Sequence, residues 1–429
     1  MTLSDSLKQP SHRRLLSFCL GGGIAALTLA YFAWCPLQCW RIRRLLQSSQ
    51  LEAASALAKS TALHHRQCAE CQYLEAKAAR RLGDFRHAAQ ALERATSLHW
   101  DAADLSRERT LALVQTGRTA EFEGELKSIF ATELDPAETE EVYEALAHGH
   151  LAAFDGPELQ QCLDYWLQWN PQAITPQLMR ARFCEQLSNH FEASKHYQSI
   201  VQDHPDCREA RLGWGACLLE LNQPSAAEEQ FRICINQQRE PKVAVMMARS
   251  LIQTGQSAAA AELLKEFQET PSIADRAKVL EELGRWCLDQ SQADEAVTYL
   301  KESVKLAPEA ASAWYSLASA YSLQGQLDKS KYALSISQET KQRLQRFGLI
   351  VVELNTHPEL LDIRIEAAQI LFKQGMDRDG VAWLNTVLNR DPQHRQAHEL
   401  LAEYYEQQGH PELARQHLQW GERPPPKEP

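Results

Sequence analysis

From about residue 70 to 420, apolar residues recur at the i, i+3, i+4 and i+7 spacing that gives a helix one buried face. Short turn signals interrupt the pattern at regular intervals. The step Arg81-Leu82-Gly83-Asp84-Phe85 is such a break, with Gly83 ending one helix and Asp84 placed to cap the next. The clearest copy has Trp314, Leu317, Ala318, Tyr321, Gly325, Ser330 and Leu334, and the same residue types return after about 34 positions. Regular units start at Ile174, Arg208, Pro241, Ala277 and Ala311, and others at Leu361 and Arg395. The copies between residues 103 and 171 match poorly and read as degenerate.

The start at Ala311 is followed by the next only at Leu361, well beyond one period. The intervening Tyr332, Ile336, Leu344, Phe347, Val351 and Leu354 keep helical spacing. One long helix over residues 327–355 is the simplest reading, with 339–360 as the extension that bends the array or alters its pitch.

Upstream the pattern changes. Leu15 to Cys35 carries no charged side chain and is long enough to cross about 30 Å of hydrocarbon as a helix. Tyr31, Trp34 and Trp40 sit at its outer end, as aromatic rings do at a membrane interface. The stretch predicts a single transmembrane helix at 15–35 behind a polar leader at 1–14. A cleaved signal is the rival, although the segment exceeds the usual apolar region of about 7–15 residues. Arginines on both sides nearly tie the orientation rule, with export slightly favoured. Residues 36–67 join this segment to the array. Trp40 to Lys59 reads as one amphipathic helix, either a partial first repeat that caps the array or a stiff lever. The segment 421–429 is too rich in proline to continue a helix and is expected to be disordered.

The recurring small and large positions of the array resemble the tetratricopeptide (TPR) repeat, over roughly 350 residues. The resemblance implies an all-α, right-handed TPR-like α-solenoid of antiparallel helix pairs. Its concave groove, lined by first helices, receives a peptide or a partner's helix. Carried over position by position, the groove would present Arg182, Ala216, Arg249, Arg285 and Ser319 in one row. Lys242 and Lys278 form a second row, with Tyr315 and Phe372 as apolar contacts. Such a basic strip suits an acidic peptide, since arginine binds carboxylates bidentately. The competing reading pairs these arginines with Glu185, Glu220, Glu281 and Asp289. The lysine and asparagine pattern of a TPR carboxylate clamp is absent.

Composition narrows the rest. The chain has 429 residues and a formal net charge of -11, which argues against nucleic acid. Its 11 cysteines fall mostly at apolar helix positions and read as small buried hydrophobes. Cys68-Ala-Glu-Cys71 has the spacing of redox and zinc sites, and His64 with His65 would complete a four-ligand set on paper. A plain helix start is the favoured reading there, and packing the favoured role of Cys35 and Cys39. No metal, cofactor or catalysis is expected. P-loop, H-E-x-x-H and G-x-S-x-G patterns are all missing. The expectation is therefore a membrane-anchored scaffold or adaptor in assembly of an envelope or membrane complex. A cytoplasmic-face regulatory or glycan-biosynthesis accessory protein, or an enzyme-associated subunit, is the alternative.

Overall fold

Within a helix pair, a tight left-handed turn joins the first helix to the second. After α3 (Ala69–Arg81), Gly83 takes φ +79°, a left-handed conformation that lets the Gly83 N–H reach Arg80 O and the Asp84 N–H reach Ala79 O. Asp84 then accepts from the His87 N–H at 3.1 Å and starts α4 (Phe85–Ser97). The same left-handed turn is made by Ser188, Asn222 and Ser291, which are not glycines. Repetition of this turn makes the chain all-α, and no strand occurs among the described residues. The computed structural model describes residues 34–48 and 50–421, in two compact units, 1–149 and 150–429.

Unit 1 begins with α1 (residues 34–47) and α2 (Leu51–His64). Cys39, Ile42 and Leu46 of α1 pack with Ala54, Ala58 and Ala62 of α2 and with Leu74 of α3 in one core. The single helix expected from Trp40 to Lys59 is therefore two. The Ser48 hydroxyl donates to Leu45 O and competes with the helical ladder, and the chain turns there. Next come α5 (Ala102–Gln115), a 3₁₀ turn at Thr119–Phe122, α6 (Glu123–Phe130) and most of α7 (Pro136–Ala153). A shortened α6 explains the poor match after residue 103. Arg80 lies fully buried here. Its guanidinium donates to Glu108 at 2.6 and 3.3 Å and to Gln115 at 2.9 Å.

The membrane expectation is corrected. Among the described residues no helix is long and apolar enough to cross a membrane, and this overturns the single-pass localisation. Residues 1–33, which include the leader and nearly all of the expected 15–35 span, lie outside the described residues. Trp34 and Cys35, taken as the end of that span, instead start α1, and Cys35 packs against the unit 1 core. Of the expected disordered tail, 422–429 lies outside the described residues, and Gly421 ends the last helix.

Unit 2 stacks helix pairs from α8 (Gly156–Trp169) to α22 (Pro411–Gly421). Its first helices include α9 (Ile174–Gln186), α11 (Arg208–Glu220), α13 (Pro241–Gln253), α15 (Ile273–Asp289), α17 (Ala311–Leu323) and α19 (Leu361–Lys373). α18 (Leu327–Thr356) has 30 residues, about twice its counterparts. Its distal half carries Ile350 and Leu354 into a core with Ile365, Ala368 and Leu384. That core also takes Phe154, whose ring lies 4.3 Å from the Trp383 ring, α20 (Asp377–Arg390) supplying the tryptophan. Arg364 completes the junction. Fully buried, it donates to Ala153 O at 2.9 Å and Pro358 O at 2.7 Å, and stacks over the Phe154 ring. The start of unit 2 thus touches helices some two hundred positions later in the chain.

Candidate functional site

Neighbouring first helices bring equal positions into rows, because small residues let the helices approach closely. At Gly215 in α11, an added Cβ would lie 2.6 Å from the Phe231 ring, so only hydrogen fits there. Ala318 and Ala368 are buried at equivalent crossings.

Arg249 of α13 and Arg285 of α15 do meet, on one carboxylate. Arg249 Nε donates to Glu282 Oε1 at 2.6 Å, and Arg285 Nη1 donates to the same oxygen at 3.3 Å. The Glu282 side chain is 1% exposed, so its charge is held by these two cations. The two arginines are thereby reduced to one net positive charge. Arg182 pairs with Glu209 of α11. Lys242 and Lys278 are exposed and form no ion pair among the described residues. The basic strip is therefore partly neutralised. The neutralising partners are Glu282 and Glu209, not the acids named from sequence. Glu281, one of those named, is buried instead. Burial pushes its carboxyl above the usual carboxylate range, and a hydrogen bond from Ser312 partly offsets this.

Tyr315 and Phe372 line two separate grooves. The larger, about 830 Å³, is walled by α15, α17 and the middle of α18. Leu288, Tyr315 and Leu344 supply its apolar surface, and Arg285, Lys341, Asp289 and Glu309 its charge. Tyr315 is 60% exposed there and Leu344 46%. The smaller groove, about 320 Å³, lies between α19 and α21 (Arg395–Gln407), where Phe372 stacks on Tyr404 with ring centres 5.7 Å apart. α18 contributes to the first groove because of its length. Sequence positions in the family pattern could not place its extra turns.

Unit 1 holds a second arrangement that the sequence reading kept apart. Cys35 and Cys39, four apart on α1, face Cys68 and Cys71 at the start of α3. The Cys35 sulfur is 3.3 Å from that of Cys68 and 3.2 Å from that of Cys71, and the Cys39 and Cys71 sulfurs are 3.5 Å apart. All four sulfur atoms lie within 4.8 Å of one another. His64 and His65 are not in this group. They line a neighbouring cavity of about 620 Å³ with Trp34, Gln38 and Arg41, and His64 Nδ1 lies 2.7 Å from Ser60 O.

Comparison with known proteins matches residues 73–132 and 365–429 to the family model of the tetratricopeptide repeat. Residues 231–344 match that of the ChAPs, described as Chs5p-Arf1p-binding proteins. By sequence, no curated protein matches the chain. Among solved structures, YrrB, titled a TPR protein with an unusual peptide-binding site, is 15% identical over 42% of this chain and 92% of its own, with a TM-score of 0.32. A MamA structure is 18% identical over 39% of this chain and 93% of its own, with a TM-score of 0.31. The APC/C hetero-tetramer Cut9-Hcn1 is 14% identical over 90% of this chain and 86% of its own, with a TM-score of 0.34. None of the three superposes closely.

Proposed function

From a chain that carries tetratricopeptide repeats in both of its units, we propose a protein–protein interaction scaffold whose unit 2 holds an extended segment of a partner in the groove between α15, α17 and α18. The observation that carries this is the exposed Tyr315 lining the groove with Leu288 and Leu344. An aromatic ring offers a large contact area at low entropic cost, and it is costly to leave in water. The groove balances two cations against two carboxylates, so the anchor is apolar and charge sets the register. The unpaired Lys242 and Lys278 on neighbouring first helices suit an acidic residue on the partner, outside the anchor. The match of residues 231–344 to a family named for binding other proteins supports the same reading. Nothing in this reading asks the chain to catalyse a reaction.

Selection of peptides from a random library on the full chain tests it. Binders should lose at least tenfold in affinity to the Tyr315→Ala, Leu344→Ala double variant. They should keep their affinity for Phe191→Ala, which removes an equally exposed ring from a second helix. Unchanged binding to the double variant would move the contact surface elsewhere.

A further inference from the structure

We infer that Cys35, Cys39, Cys68 and Cys71 form a structural zinc site in unit 1. Four sulfur atoms converge from two helices that are distant in sequence, and among the described residues no other ligand type joins the group. In a tetrahedral tetrathiolate with zinc–sulfur bonds of about 2.3 Å, the sulfurs stand about 3.8 Å apart. Three of the separations, 3.2 to 3.5 Å, and the outer limit of 4.8 Å bracket that value. None approaches the 2.05 Å or so of a disulfide bond, and all four cysteines are free thiols in the structure.

The local backbone is shaped for the same ligand. Cys35 and Cys39 lie one turn apart on one face of α1, so both sulfurs point the same way. Cys68 caps α3, and the Cys71 N–H donates to its sulfur at 3.4 Å. Binding zinc releases four protons to solvent and leaves the site with two net negative charges, which the first turn of α3 faces. With four protein ligands the coordination is closed, which suits a structural ion and leaves no position for substrate. The ion ties α1, the first helix of the described array, to the start of α3 across the whole of α2.

The full chain, purified without chelator, should carry about one zinc per molecule by elemental analysis. Cys39→Ser and Cys71→Ser should each lose it, while Cys217→Ser, in the core of unit 2, should retain it. If the serine variants fail to fold, the unaltered chain still decides. Alkylation with and without a zinc chelator should show Cys35, Cys39, Cys68 and Cys71 protected together and released together. Cobalt added to the zinc-free chain should give the visible absorption of a tetrahedral thiolate site. A folded, zinc-free chain whose four cysteines react freely would overturn the inference. So would a non-reduced mass showing two disulfides among them, or iron in place of zinc.

Discussion

A single added carbon tests the packing. Gly215→Ala sets a methyl group against the Phe231 ring and should cost about 1–3 kcal/mol in urea unfolding. The exposed Gln202→Ala in the same unit should change stability by less than about 0.5 kcal/mol. At the turns, Ser188 and Ser291 hold positive φ where glycine is relaxed. Replacing either by glycine should raise stability by about 0.5–1 kcal/mol, read as a higher denaturation midpoint. His417 gives a pH dependence. Burial, then the neighbouring His398, lowers its pKa to about 4. His398 Nε2 lies 3.0 Å from Pro392 O and His398 Nδ1 lies 2.9 Å from His417 Nδ1, so a neutral pair satisfies both contacts. The folded chain resists a proton that the unfolded chain takes up near 6.5. Stability of the last helix pair is therefore full above about 6.5 and falls as pH drops towards 4. Amide exchange in α22 should accelerate over that window, and His417→Phe should flatten the profile. The small crossing residues were legible because they recur in a one-dimensional pattern. The carboxylate beneath Arg249 was not. Glu281 and Glu282 are adjacent in sequence but point about 100° apart on a helix, so a rotation smaller than one residue decides which is the partner.

Between helices, Glu282 changes what charge reversal should do. Sequence rows alone suggest that Arg249→Glu with Arg285→Glu leaves the melting temperature nearly unchanged. With Glu282 buried beneath both, the double variant gathers three carboxylates and should lose about 3–5 kcal/mol. Thermal unfolding separates the two outcomes. In α18, Gly348 is exposed, and an added Cβ meets nothing within 4 Å. Gly348→Ala should stabilise by up to about 1 kcal/mol, since alanine is the better helix former. The excess spacing before Leu361 made the length of this helix readable. What α1 does was hidden, because hydropathy grades Trp34 and Cys35 alike whether they face lipid or a neighbouring helix. The meeting of Cys35 and Cys39 with Cys68 and Cys71 depends on α1 ending at residue 47, which the smooth amphipathic pattern concealed.

In unit 2, Arg364 is buried, and no carboxylate among the described residues pairs with it. Carbonyl oxygens, the Thr386 hydroxyl and the Phe154 ring hold its charge. Arg364→Met should keep the volume, lose the bonds to Ala153 and Pro358, and raise proteolysis near residues 153–156 while leaving far-UV helicity nearly intact. A solenoid joined only between neighbours behaves as a spring, which extends at low load and peels from its free ends. Here residues 153–156 are pinned to α19 and α20, so the segment between them is a latched loop. Pulled from its two ends, unit 2 should stay stiff until the latch shears, give one abrupt release, and only then stretch compliantly. In a force trace Arg364→Met should erase the release and leave the compliant stretch.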